Sequence, residues 1–392
     1  MGQHSPAVLS VFDVEPRFIG GTETYARELS LQLGQRGWRS VLCFVTPPTE
    51  DVRRFLDLPN VSVEVVADLQ SRKLGVMARL VRVLRRHGPQ IIHFHYTSFL
   101  SPYPWLARMC SADQVFFTDH ASRPANYSPR RAPALKRWLA QLLSCPLTKV
   151  VCVSNYGYRC FTERGLFRRG RCEMIYNGVD LDRVAESAER AAAFRARFSI
   201  PEKRKIVLQI SWIIPEKGIL DLLAAARLVT LRDDNTQFVI VGDGPLREEY
   251  TRKALDLGLG EHVTWTGLLG DPFKAGAYDA ADVVCQVSRW EEVFGWVIAE
   301  AMAYRRPVVA TRVGGIPEVV ADGITGCLID RGDVGQLVEK LLMLLGDPVR
   351  RKAMGTAGRE RVGAKFDLRK NVGQLLRAYG VEKKATVEVV DG

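Results

Sequence analysis

Strand-sized apolar runs return along the whole of this chain, with helix-patterned segments between them. Ala7–Val14, Ser40–Val45, Val61–Val66, Ile91–Phe94, Val115–Thr118 and Val150–Ser154 read as strands. After a pause over 177–199 the rhythm restarts with Ile206–Ile210, Phe238–Val241, Val263–Trp265, Val283–Gln286 and Pro307–Thr311. A helix is expected from Thr22, with Ala26, Leu29 and Leu33 on one face and Gly37 as its stop. Further helices are expected over Ile219–Val229, Leu246–Leu257, Gly295–Ala303 and Gly335–Leu345. Such alternation predicts parallel sheets covered on both faces, because each strand must cross back past a helix before pairing again. The expected fold class is α/β, two doubly wound Rossmann-like domains in tandem. A length of 392 residues fits two or three domains of roughly 150 residues each.

The chain is 47% hydrophobic and 25% charged, which suits a globular protein and excludes a disordered one. No stretch approaches the roughly 20 apolar residues that span a bilayer. Met1–Pro6 is polar, and the apolar run after it is shorter than a signal-peptide core and lacks a basic lead-in. A cytoplasmic protein is therefore expected. The eight cysteines are scattered without a CxxC pair, so reduced thiols are expected rather than zinc ligands or disulfides.

The net charge of +11 is one-sided. Residues 1–184 hold 25 basic and 15 acidic side chains; residues 185–392 hold 30 and 29. The stretch 69–112 has seven basic residues and no acid, and 123–171 has eleven basic residues and one acid, Glu163. Such a field favours an anionic partner: a phosphorylated substrate, a phospholipid surface or nucleic acid. No RNA-binding or zinc-finger signature is present, so nucleic acid is not expected. Leu135, Trp138, Leu139 and Leu142 recur at helical spacing beside Arg130, Arg131, Lys136 and Arg137, and Leu74–Arg86 is similar. Each segment reads either as an interfacial helix on an anionic membrane or as a surface helix with its apolar face on the core.

The segment Ser288–Ala303 carries most of the chemistry. Seven residues separate Glu292 from Glu300, and Gly295 between them suits a helix start. Glu292 then lies in the preceding loop, and the amides of Phe294, Gly295 and Trp296 are free to meet a phosphate. Two carboxylates flanking a phosphate describe a nucleoside diphosphate-sugar, with one acid on sugar hydroxyls and the other on ribose hydroxyls.

With Phe294 and Gly295 inside the Glu292–Glu300 spacing, the sequence resembles the retaining GT-B glycosyltransferases, specifically glycosyltransferase family 4. The resemblance spans almost the whole chain: Gly20-Gly21-Thr22-Glu23, Ile92-His93-Phe94-His95, Thr118-Asp119-His120, Asn177-Gly178-Val179-Asp180, Pro215-Glu216-Lys217-Gly218, Gly242-Asp243-Gly244-Pro245 and Gly314-Gly315-Ile316-Pro317-Glu318. It implies an acceptor-binding domain over 1–184, a linker over 185–203 and a donor-binding domain over 204–365. A helix over 366–380 would pack back on the first domain, and a frayed tail would follow over 381–392. It also implies retaining, metal-independent transfer from a nucleoside diphosphate-sugar, without a cofactor, to a glycan, lipid-linked or small-molecule acceptor. The setting would be envelope polysaccharide or glycolipid synthesis at the inner face of a membrane.

The implied catalytic set is Glu292, His120 and Lys217. Glu292 would hold a sugar hydroxyl, His120 would face the sugar or acceptor, and Lys217 would neutralise the leaving diphosphate. The implied donor set is Gly20, Gly21, Lys217, Gly242, Gly244, Phe294, Gly295 and Glu300, with Glu300 on the ribose and no metal ligand. The family's usual Gly-Arg is here Ser211-Trp212. That removes a forked phosphate contact worth about 1.5–3 kcal/mol, for which Arg289 is a candidate substitute. His93 and His95 are expected on opposite sides of a strand. Asp180-Leu181-Asp182 has metal-binding spacing, but a helix-capping role is expected. Gly242-Asp243-Gly244 lacks the third glycine of a dinucleotide fingerprint, so NAD is not expected. Trp212 keeps a second reading open, a non-catalytic nucleotide-sugar-binding protein. An epimerase on the same architecture is a third.

Overall fold

The computed structural model describes residues 5–71, 73–110 and 112–381; most of the expected 381–392 tail lies outside them. The first sheet is formed by β1 (Ala7–Phe12), β2 (Arg39–Phe44), β3 (Val61–Val65), β4 (Ile91–His95), β5 (Gln114–Asp119), β6 (Lys149–Cys152) and β7 (Cys172–Met174). Its helices are α1 (Gly21–Gly34), α2 (Glu50–Phe55), α3 (Leu74–His87), α4 (Tyr103–Met109), α5 (Ala134–Leu143) and α6 (Asn155–Thr162). The second sheet is formed by β8 (Lys205–Ile210), β9 (Thr236–Val241), β10 (Val263–Gly267), β11 (Val283–Gln286), β12 (Val308–Thr311) and β13 (Gly326–Ile329). Around it lie α7 (Ala188–Arg197), α8 (Ile219–Thr230), α9 (Arg247–Asp256), α10 (Ala277–Ala280), α11 (Trp296–Ala303), α12 (Ile316–Val319), α13 (Val334–Gly346) and α14 (Pro348–Lys365). The helix α15 (Leu368–Ala378) closes the described chain.

The strand orders are β3-β2-β1-β4-β5-β6-β7 and β10-β9-β8-β11-β12-β13. Every strand pair is parallel. Both sheets are doubly wound, and the order reverses between β1 and β4 and between β8 and β11. Helices cover both faces, which is why β1 and β9 are buried along their whole length and read as unbroken apolar runs. In such sheets the crevice at the reversal, outside the carboxyl ends of the strands, is where ligands bind.

The segment expected as a linker is not free chain. It carries α7, capped by the Ser187 side chain and docked on α10 by Arg190, whose guanidinium pairs with Asp279. Asp180 does not cap a helix: its carboxylate accepts from the Asp182 amide at 3.1 Å, and Asp182 pairs with Arg369. After α14 the chain returns to the first domain. On α15, Leu368, Val372, Leu375, Leu376 and Tyr379 join one core with Val8, Leu29, Leu33, Ile91 and Phe116. Each such buried apolar side chain contributes about 1.5–3 kcal/mol.

Candidate functional site

The loop after β11 and the start of α11 form one wall of the interdomain groove. Gly295 caps α11 with φ of +96°, a left-handed conformation that strains any residue with a Cβ. The first-turn amides of α11 have no acceptor within the helix and carry its positive dipole end. Phe294 is 2% exposed and sets its ring against Phe366 at 5.5 Å, which anchors the loop from behind. The Gly314-Gly315 turn lies directly on this loop: the Gly315 amide donates to the Glu292 carbonyl at 2.7 Å.

Glu292 lies in that loop and is buried. Its Oε1 accepts from Lys217 Nζ at 2.6 Å and from Ser288 Oγ at 2.8 Å, and its Oε2 accepts from Ser122 Oγ at 3.0 Å. Burial alone would raise its pKa. The Lys217 charge and the hydrogen bonds from Lys217, Ser288 and Ser122 outweigh burial and hold the carboxyl below its usual 4.5. Lys217 ends a short turn after β8, and Gly218, at φ +66°, then reverses the chain against the Val287 carbonyl.

Glu300 lies one turn into α11, half-buried, and accepts from the Tyr278 hydroxyl at 2.5 Å. Burial raises its pKa, while Tyr278 and the charge of Arg183 pull it back. Arg183 spans the domains, donating to Thr24 Oγ1 on α1 and to Asp271, both at 2.7 Å.

The opposite wall comes from the carboxyl ends of β1, β4 and β5. His120 stacks on Tyr96 at 4.4 Å between ring centroids and lies 5.8 Å from the Trp296 ring. Its Nε2 is 3.2 Å from His95 Nδ1, while its Nδ1 is buried without a partner among the described residues. Burial lowers its pKa to about 3, so the ring is neutral at physiological pH. Gly21 lies beneath the Trp296 indole, where a Cβ would be 2.6 Å from the ring, and the Trp296 Nε1–H donates to the Gly178 carbonyl at 3.3 Å. Gly20 donates its amide to the Glu23 carboxylate at 3.0 Å.

The walls touch at several points. Arg123 and Glu291 exchange two backbone hydrogen bonds of 2.9 Å, and the Ile19 amide donates to the Gly270 carbonyl at 2.7 Å. The Glu318 carboxylate accepts from the Asn155 and Tyr156 amides, both at 2.7 Å, so the second domain caps a helix of the first.

Glu292, Lys217, Gly295 and Glu300 thus lie along one wall and His120, Gly20 and Gly21 along the other, while the Phe294 side chain packs behind the first wall. Gly242 and Gly244 are packed against the chain itself. A Cβ on Gly242 would be 2.0 Å from the Ser211 carbonyl, and one on Gly244 would be 2.5 Å from the Ile213 carbonyl. Each glycine permits a close approach of the chain's own backbone. Arg289, the candidate substitute for the missing arginine at Trp212, is held by Asp221 through its Nε and one Nη at 2.8 and 2.5 Å. His93 and His95 do not face opposite sides of β4. Two residues apart on a strand means one face, and their rings are 4.0 Å apart, both buried. Sequence reasoning missed Ser122, Ser288, Tyr278, Arg183 and the packing of Trp296. Ser122 and Ser288 follow strands, which is a usable signal; Tyr278 and Arg183 carry none locally.

The family model for Glycosyltransferase Family 4 matches residues 19–183, and that for glycosyl transferases group 1 matches residues 191–361. The chain is 32% identical over 292 residues to the GDP-mannose-dependent alpha-(1-6)-phosphatidylinositol monomannoside mannosyltransferase of Mycolicibacterium smegmatis, covering 72% of this chain and 74% of that one. It is 30% identical over 389 residues to the D-inositol 3-phosphate glycosyltransferase of the same organism, covering 92% and 86%. Among solved structures, Anabaena HepE in complex with UDP and glucose superposes with a TM-score of 0.77 at 19% identity, covering 96% of this chain and 100% of that one. The sucrose-phosphate synthase of Thermosynechococcus elongatus gives 0.77 at 24% identity, covering 96% and 98%.

Proposed function

The chain belongs to glycosyltransferase family 4, with the GT-B fold, and from that premise we propose a retaining transfer of a hexosyl group from a nucleoside diphosphate-sugar to a hydroxyl of an anionic, lipid-linked or inositol-phosphate-like acceptor. One observation carries this reading: Glu292 is held ionised at the mouth of α11, between Lys217 of its own domain and Ser122 of the other. The diphosphate lies against the first-turn amides of α11 and Lys217 Nζ, whose three donors let it keep Glu292 while reaching a phosphate oxygen. Glu292 Oε2 accepts from one hydroxyl of the sugar, and Glu300 accepts from the ribose on the Arg183 side. The neutral His120, stacked on Tyr96, lines the sugar or acceptor side of the groove.

No side chain serves as nucleophile. The bond from the anomeric carbon to the phosphate oxygen breaks, the acceptor oxygen attacks the same face, and its proton passes to the departing phosphate. Fixed amides and Lys217 stabilise the growing phosphate charge without reorganising. Closure of the groove keeps water from the donor. Turnover in excess chelator is expected to match turnover with magnesium.

Titration of UDP- and GDP-sugars against wild type and Glu300→Ala tests the reading. A loss of at least about tenfold in affinity is expected, from one charged hydrogen bond; equal affinity removes Glu300 from the donor site. Trp212, exposed where the family carries arginine, favours the second reading. Donor binding without transfer or hydrolysis across an acceptor panel would establish a non-catalytic nucleotide-sugar-binding protein instead.

A further inference from the structure

The two basic amphipathic segments of the first domain take different places in the fold. On α3, Val76, Leu80, Val83 and Leu84 are buried, so its apolar stripe faces the core. On α5 only Ala140 is buried. Leu135 is 68% exposed, Trp138 60% and Leu142 47%. An ordinary surface helix puts its leucines on the core; α5 turns them to solvent. The patch continues onto α4, where Met109 and Trp105 are exposed, and the Trp105 Nε1–H donates to the Leu143 carbonyl at 2.9 Å.

We propose that α5, with the adjoining end of α4, docks the protein on an anionic lipid bilayer. The charge beside the patch selects that occupant. Arg130, Arg131 and Lys136 are exposed at the start of α5, Arg168 and Arg169 follow on the same domain, and Glu163 is the one acid in 123–171. Exposed Arg79, Arg82 and Arg85 lie on α3, which packs beside α4. Apolar side chains with a tryptophan, rimmed by cations that meet no carboxylate among the described residues, match an interface in which leucines enter the acyl boundary and cations meet phosphate headgroups. The chain that leaves the groove at His120 enters α5 at Ala134, so one loop joins the acceptor wall to the docking helix. The inference stands apart from the transfer reading, since docking requires no donor.

Co-sedimentation of the full chain with vesicles of phosphatidylcholine, alone or with about one third phosphatidylglycerol, tests it. Wild type is expected to partition at least about tenfold better onto the anionic vesicles, and salt should weaken that preference. Leu135→Ser, Trp138→Ser and Leu142→Ser combined should lose at least about tenfold in partition, with the thermal midpoint unchanged. Arg130→Ser, Arg131→Ser and Lys136→Ser combined should lose a similar factor and most of the salt dependence. Equal partition onto both vesicle types, no partition onto either, or wild-type binding by both variants overturns the proposal. So does a dimer in sedimentation velocity that the apolar variant dissolves, because a second copy would then be the occupant.

Discussion

The indole of Trp296 lies on Gly21, across the two domains, so closely that a methyl group at position 21 would approach the ring to 2.6 Å. The contact joins the first turn of α1 to the first turn of α11, the two helix starts that face the groove. Gly21 thus permits closure of the protein upon itself as well as any approach of phosphate.

Gly21→Ala is expected to disfavour the closed arrangement by about 1–3 kcal/mol, the usual cost of overpacking. That corresponds to roughly 5- to 150-fold in kcat/KM if closure precedes transfer. Adding Trp296→Val should restore much of the loss. A double-mutant cycle in kcat/KM with additive effects would separate the two residues.

Lys217 and Glu292 are expected to be worth more together than apart. Glu292→Ala leaves a largely buried lysine unpaired, at a cost of about 3 kcal/mol in urea unfolding. Lys217→Met combined with Glu292→Gln removes both charges, keeps an amide for Ser122 and Ser288, and should regain most of that stability. Its kcat/KM should still stay at least about a hundredfold down, because the fixed cation at the phosphate is gone. Full activity in the double variant would remove both residues from the chemistry.

The buried histidines set an acid limit on stability. Burial lowers His120 to about 3, and burial with neighbouring imidazole charge takes His93 and His95 well below 6.5. Unfolded imidazoles take up protons below about 6.5, and the folded ones do not. Stability is therefore full above that pH and falls as pH drops toward 3. His120→Gln should flatten part of this slope in thermal midpoints measured from pH 6.5 to 4.5. Parallel curves for variant and wild type would show that His120 titrates normally.

Glu23 carries the opposite sign. Burial raises its carboxyl from 4.5 to about 7, although its own amide and that of Gly20 lower it in part. The folded state then holds a proton that the unfolded state has released, so stability falls as pH rises from about 4.5 to about 7 and is level above. Glu23→Gln should gain on wild type across that window, by up to about 3 kcal/mol. A gain independent of pH would place the effect in packing rather than in ionisation.

What was legible in the sequence was what the backbone dictates locally. Strand runs, Gly295 as the start of α11 and Lys217 after β8 follow from periodicity and from a glycine that must take positive φ. The partners of these residues were not legible. Ser122 meets Glu292 across 170 positions of sequence, and Glu318 meets Asn155 across 163. No local pattern encodes such distances. Gly242 and Gly244 show the converse: their bareness was visible, but only the fold shows that the Ser211–Ile213 backbone fills the space. The pairing of His93 with His95 could have been read correctly, since residues two apart on a strand share a side.

The return of α15 to the first domain also bears on how the chain comes into being. His93 Nδ1 lies 2.5 Å from the Tyr379 hydroxyl, so a residue of the fourth strand is matched with one near the end of the described chain. A ribosome that has finished the first seven strands has not yet made the side chains that close one of their cores. One face of the amino-terminal half, with Leu29, Leu33 and Phe116, stays uncovered until synthesis has passed residue 379. Loss of α15 would therefore strike the half of the molecule made first.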